Sequence, residues 1–223
     1  MPVDRASLAA ALAEVQRAYK SSPTAVRTGT VISPLHRFCA DELRRAGLPA
    51  EYIHPPAPGT DGPRRIRILG GYMPKEIDVC LLPPNSGPLL AISVKSQMSS
   101  IVKNTINRFE EYVGDATNLH TRFPMLVLGF LMLVPANAET FVSSKATPGL
   151  VRIASLLERA NARQRVNEPP GSYEASALVL VDFSGARPEV VASYPDPKRQ
   201  AALRIEGFVD RLVALYHERN QFV

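Results

Sequence analysis

Two charged residues stand inside apolar segments of this 223-residue chain. Asp78 interrupts the run Ile77, Val79, Cys80, Leu81 and Leu82, and Lys95 closes Ile92-Ser93-Val94-Lys95. Alternation with period two puts Asp78 on one strand face with Glu76 and Cys80, and Ser93 on one face with Lys95. A carboxylate and an ammonium on adjacent strands converge within a few ångströms, and burying them is costly unless they pair or bind an ion. Metal-assisted hydrolysis of a phosphodiester needs that convergence. Oxygen ligands hold a hard Mg²⁺ ion, which polarises the phosphate and acidifies a bound water. A nearby lysine orients the attacking water or stabilises the developing charge. Without a metal, the same two residues amount to a salt bridge at a strand edge.

The elements that must position them follow from periodicity and punctuation. Apolar residues at Leu8, Leu12, Val15 and Tyr19 predict a helix over 6–19, ended by Ser21-Ser22-Pro23. Ser33 is placed to cap a second helix, Leu35 to Ala46, with Pro34 at its first position and Gly47 at its end. Residues 55–63 read as a loop on their Pro and Gly content. Three strands are expected next, Arg65 to Leu69, Glu76 to Leu82 and Leu89 to Lys95. The turn-rich Pro83-Pro84-Asn85-Ser86-Gly87-Pro88 makes a hairpin of the last two.

A long helix, Ile101 to Leu119, carries the stripe Val102, Ile106, Phe109, Val113 and Ala116. Met125 to Val134 is nearly all apolar, as suits a central strand covered on both faces. A helix over 148–162, a strand over 177–183 and a final helix over 198–216 complete the chain, the last facing inward with Leu203, Phe208, Val209, Leu212 and Tyr216. No repeat or linker divides it. The expectation is one α/β domain over 1–223, with a mixed central sheet flanked by helices.

In Asp78, in Ser93-Val94-Lys95 and in the order of elements from about Leu35 to Val134, the sequence resembles the PD-(D/E)XK nuclease superfamily. That resemblance implies a restriction-endonuclease-like core over about 35–135, with Asp78 as metal ligand and Lys95 as catalytic base or electrostatic partner. No proline directly precedes Asp78, and Ser93 stands where the family has an acid. Ser-Val-Lys matches the variant found in restriction endonucleases that recognise CCGG-containing sites, which take the missing glutamate from the following helix. The helix offers Glu110 and Glu111. On the expected stripe Glu110 lies nearer the apolar edge and Glu111 nearly opposite, so Glu110 is favoured as the second metal ligand. Glu42, on the helix before the sheet, is a further candidate, because superfamily members often use a glutamate there.

The resemblance further implies a Mg²⁺-dependent type II restriction enzyme cutting double-stranded DNA as a homodimer, since two active sites must address two strands. A repair nuclease of the same fold and an inactive DNA-binding module are the alternatives. Gln97, Ser99 and Lys103 follow Lys95 at a helix N-terminus suited to phosphates, and Asn104, Asn107 and Arg108 are of types that read base edges. Arg64, Arg65, Arg67 and Lys75 form a basic flank.

Composition agrees with this reading without carrying it. Lys and Arg number 26 against 21 Asp and Glu, a net +5 that suits a polyanion partner. Cys39 and Cys80 read as buried free thiols. The four histidines, His36, His54, His120 and His217, are scattered without zinc spacing, and His120 reads as structural. No P-loop, G-x-S-x-G or G-x-G-x-x-G pattern occurs, which weighs against NTPase, serine-hydrolase and dinucleotide chemistry. With no signal-peptide pattern and no apolar run of membrane-spanning length, a soluble, cytoplasmic protein with no membrane partner is expected.

Overall fold

The structure is a computed structural model and describes residues 3–21, 30–63, 65–142 and 145–221. Ser22, Pro23, Arg64 and the Val102 side chain, invoked above, fall outside the described residues. The helices are α1 (Arg5–Ser21), α2 (Ser33–Arg45), α3 (Ile101–Arg122), α4 (Pro148–Arg159) and α5 (Phe208–Arg219). The strands are β1 (Ile53–His54), β2 (Ile66–Leu69), β3 (Pro74–Ile77), β4 (Val79–Leu81), β5 (Leu90–Ser96), β6 (Val127–Pro135), β7 (Phe141–Val142), β8 (Lys145–Ala146), β9 (Ala175–Asp182) and β10 (Glu189–Val190).

Six strands form one sheet in the order β1-β4-β5-β6-β9-β10. β4 and β5 are antiparallel, as the connector at 83–88 requires, whereas β5, β6 and β9 run parallel. Helix α3 crosses between β5 and β6, and α4 between β6 and β9, the usual way to join parallel neighbours. The expected mixed sheet between helical layers is therefore present. On one face α1, α2 and α5 bury Leu12, Leu35, Phe38 and Leu212 against Ile92, Val94, Leu131 and Val179. On the other, α3 and α4 bury Tyr112, Ala116, Ile153 and Leu157 against Ala91, Phe130, Met132 and Leu178. Every residue of β6 is buried, because it is central in the sheet and covered on both sides. None of the described helices is long and apolar enough to cross a membrane.

Helix α5 lies close enough to β6 that a side chain at Gly129 has no room. An added Cβ would sit 2.6 Å from a Leu212 methyl and 3.0 Å from the Phe208 ring. Gly129→Ala is expected to cost about 1–3 kcal/mol by overpacking, read as a lower urea midpoint with unchanged m-value; an unaltered midpoint would mean that α5 is loosely seated.

Four local expectations need correction. The strand expected over 76–82 is two strands broken at Asp78: β3 pairs with β2 in a separate two-stranded sheet, and β4 pairs with β5. The last helix begins only at Phe208, after 3₁₀ turns at Ala201–Leu203 and Ile205–Gly207. Arg204 between those turns is extended, and its guanidinium holds the Ala192 and Pro195 carbonyls, which a continuous helix would not allow. Helix α4 stops at Arg159, short of Ala162, where the backbone turns to φ 64. Ser33 is the first helical residue of α2 and not its cap; Ile32 takes that position with no side-chain hydrogen bond.

Candidate active site

Asp78 owes its place to the break in its strand. In the β4–β5 ladder Val79 opposes Ile92, so the next pairing would fall on Asp78 and Ser93. The Asp78 carboxylate replaces it: Oδ2 accepts the Val94 N–H at 2.9 Å. A side chain thus occupies the backbone donor between Ser93 and Lys95, ends the ladder, and turns β3 out of the main sheet. The carboxylate is held at the C-terminal end of β5, one of the three parallel strands. That end of an open α/β sheet is the usual place for a ligand.

Ser93 and Lys95 lie on the face of β5 that α3 covers, as alternation requires. Lys95 Nζ is 3.4 Å from Glu111 Oε1, and Arg108 donates to Glu111 Oε2 at 2.6 Å. Lys75, from β3, reaches the same helix face, 2.6 Å from Asp115 Oδ2 and 3.9 Å from Glu111 Oε1. Ser93, Lys75, Asp115 and the fully buried Tyr173 line one narrow cavity beneath this group. The negative charges of Asp115, Glu111 and Asp78 all act on Tyr173, whose hydroxyl is raised well above its ordinary value, first by burial. Burial pushes the Glu111 carboxyl up, but Lys95, Arg108 and Lys75 outweigh it and leave the group below its ordinary value. For Asp115 burial wins over Lys75, and its value is raised.

The α3 carboxylate that meets Lys95 is therefore Glu111, whereas Glu110, the residue favoured from the sequence, is exposed to solvent. The expected stripe was centred on the wrong residues. Ala116 is buried as expected, but Ile106 is exposed, Phe109 and Val113 are only partly buried, and Ile101, Thr105, Tyr112 and Leu119 are buried beside Ala116. Re-centring on those residues carries Glu110 to the far side and brings Glu111 and Asp115 to the flank over β5.

Glu42 is nearly fully buried on α2, but its two oxygens take the Arg45 Nε–H at 2.9 Å and Nη2–H at 2.6 Å. Its Oε2 also accepts the Asp4 N–H at 3.3 Å. It is a structural ion pair joining α2 to the start of α1. The α2 residue that does reach Asp78 is His36, with Nε2 3.7 Å from Asp78 Oδ1. Its side chain is 6% exposed, and Nε2 is buried without a hydrogen-bond partner. Burial lowers the pKa of His36 against the pull of Asp78, and Arg65, Lys95 and Arg37 lower it further. His36 also forms part of the wall of an open cleft of about 740 Å³, with Arg37, Arg65 and the loop 55–62.

Of the expected DNA-contacting residues, Gln97 is misassigned. It is buried, and its amide donates to the Ser100 and Ile101 carbonyls, bracing the start of α3. At the N-terminus of α3, Glu139 Oε2 accepts the Ile101 N–H at 2.8 Å and so places a carboxylate where a phosphate was expected. Ser99, Lys103 and Asn107 are exposed, Asn104 is half-buried, and Arg108 is exposed but tied to Glu111.

Sequence reasoning overlooked His36, Asp115 and the part of Lys75. Glu111 and Asp115 are one helical turn apart, a spacing that marks a shared face. His36 has no such signal, since only the folded chain brings α2 to the strand break. Among the described residues, no group of three or more His, Cys, Asp and Glu side chains is gathered tightly enough to hold a metal ion unaided. Comparison of the chain with protein-family models, curated proteins and solved structures finds no match.

Proposed function

We propose that the chain is a Mg²⁺-dependent endonuclease of double-stranded DNA, acting as a homodimer in the manner of a type II restriction enzyme. The observation that carries this reading is the joining of Asp78 to the Val94 amide, between Ser93 and Lys95, while the next helix delivers Glu111 to Lys95. A carboxylate from each of two elements suits Mg²⁺, which is commonly held by one or two carboxylates, with water and substrate phosphate completing the shell. Asp78 and Glu111 are the residues that would hold it. When bound, the ion would supply Lewis acidity toward the phosphate and a more acidic water.

The protein's own groups carry the remaining work. Asp78 Oδ2 is anchored by the Val94 amide, which leaves Oδ1 free of a close donor. The Lys95 ammonium, steered by Glu111, is available to orient a water or to offset charge on a phosphate oxygen. Ser93 offers a hydroxyl on the same face. The homodimer follows from the substrate, since a two-fold assembly matches the two strands of a duplex.

The test is cleavage of linear and supercoiled duplex DNA by the full chain with Mg²⁺ or Mn²⁺. Asp78→Ala and Lys95→Ala are each expected to lower the rate by about 100-fold or more. Undiminished cleavage by both variants would remove the site assignment. Cutting only at junctions or flaps would favour a repair enzyme. Ser93, standing where the family has an acid, favours one second reading, a DNA-binding module without catalysis. Binding without cutting in either metal would establish it.

A further inference from the structure

The hairpin β2–β3 stands apart from the main sheet and ends in four residues, Gly70-Gly71-Tyr72-Met73. Its outer surface is apolar at the tip, where Leu69 is 53%, Tyr72 71% and Met73 60% exposed. Toward its base the same surface carries Arg65 and Arg67, both exposed, with Glu76 of β3 opposite Arg67 and 3.3 Å from Arg65. Three large apolar side chains this open to water on one hairpin mark a surface that something covers.

The tip is locked in place. Asn118 of α3 is nearly fully buried, and its Oδ1 accepts the N–H groups of Tyr72 at 2.9 Å and Met73 at 3.1 Å. Its Nδ2 donates to the Met73 carbonyl at 2.9 Å, and its own carbonyl accepts the Gly71 N–H at 2.7 Å. A Cβ at Gly70 would lie 2.4 Å from the Asn118 amide, and one at Gly71 2.6 Å from a Thr121 methyl. The two glycines let the turn press onto α3, and the buried Asn118 amide then holds the Tyr72 and Met73 backbone. Lys75, paired with Asp115, ties the second strand to the same helix. That strand runs through Ile77 directly into Asp78.

We infer that this tip is a wedge for duplex DNA: Tyr72 and Met73 enter a groove and stack against or part a base step, while Arg65 and Arg67 hold the adjoining phosphates. The inference rests on the nuclease reading and deepens it by naming the surface that meets the substrate. Apolar side chains inserted between base steps and kinking the helix are a known way of holding DNA, and aromatic stacking on bases is tolerant of sequence. Charge favours DNA over a protein partner, because the two arginines beside the apolar tip outnumber the one carboxylate facing them, Glu76, in a chain of net charge +5. The rigid link from tip to Asp78 would place the distorted step at a set distance from the site.

Binding to a mixed-sequence duplex containing 2-aminopurine tests this, with Ca²⁺ replacing Mg²⁺ so that nothing is cut. The wild-type chain should bind at low salt and raise the 2-aminopurine fluorescence by unstacking. The double variant Tyr72→Ala/Met73→Ala changes only exposed side chains. It should bind about ten-fold or more weakly and lose the fluorescence rise. Arg67→Ala should keep the rise and lower the slope of log K against log salt by about one. Unchanged affinity and fluorescence in the double variant would overturn the wedge while leaving the nuclease reading intact. A change in oligomeric state with unchanged DNA binding would overturn it in favour of a protein contact. A wild-type chain that binds no DNA at low salt would overturn both.

Discussion

Replacing Glu174 with Gln is expected to lower the unfolding free energy by about 3–5 kcal/mol, the cost of breaking a buried ion pair from one side. Glu174 is fully buried at the start of β9, and each of its oxygens has two partners. Oε1 accepts Arg163 Nη1–H at 2.6 Å and Arg219 Nη1–H at 2.7 Å; Oε2 accepts the Leu128 N–H at 2.8 Å and faces His120 Nε2 at 3.3 Å. His120 Nδ1 in turn meets the Pro170 carbonyl at 2.8 Å. One carboxylate thus joins the end of α3, the start of β6, the segment after α4 and the last turn of α5. An amide keeps the shape but leaves two guanidinium groups without a counter-charge in a dry site. Chemical denaturation at neutral pH measures the loss, and a difference under about 1 kcal/mol would show that the arginines find other acceptors.

Acidity should erase that difference. Burial pushes the Glu174 carboxyl up, but His120, Arg219 and the Leu128 amide together carry it below its ordinary value of 4.5. A carboxyl whose pKa is lower folded than unfolded contributes stability above its unfolded value and loses it as pH falls through the folded one. The wild-type and Glu174→Gln chains should therefore converge in stability as pH drops below about 4.5.

The layers of the fold were legible because burial writes itself into apolar pattern. The unbroken apolar run of β6 marked a strand covered on both faces, and the Pro, Asn and Gly residues of 83–88 marked the hairpin. What was not legible depends on a single side chain replacing a backbone group. Period-two alternation treats Glu76 to Leu82 as one strand, since nothing in the composition shows that Asp78 will take the Val94 N–H and end the ladder. The Glu174 centre is hidden for a similar reason. Its partners, His120, Arg163 and Arg219, lie far apart in the chain and carry no common spacing. His120 was placed correctly as structural, but the residue that makes it so was not visible.

The error at the site has a different origin, and it sets up the sharpest comparison between two neighbouring residues. Helix α3 is amphipathic, but Tyr112 and Thr105 contribute more to its buried face than the aliphatic Ile106, because their hydroxyls are satisfied inside. Tyr112 bonds to the Ala160 carbonyl and Ser176, and Thr105 to the Ile101 carbonyl. A stripe drawn through Ile106 and Phe109 is rotated from the face of Thr105 and Tyr112, and it selects Glu110. On the folded helix Glu111 meets Lys95 and Glu110 faces solvent.

If Asp78 and Glu111 together hold the metal, Glu111→Gln should lower Mg²⁺-dependent cleavage by at least the roughly 10–100-fold seen when groups supporting a metal ligand are lost. Glu110→Gln should stay within about two-fold, as an exposed substitution does. Because Glu111 also restrains Lys95 and Arg108, activity alone would not separate ligand from tether. Titration with Mn²⁺ in the absence of DNA does. A ligand at Glu111 requires weaker Mn²⁺ binding in Glu111→Gln and unchanged binding in Lys95→Ala. Equal Mn²⁺ affinity in wild-type and Glu111→Gln chains would make Glu111 a tether for Lys95 and leave Asp78 as the one carboxylate ligand of the pair.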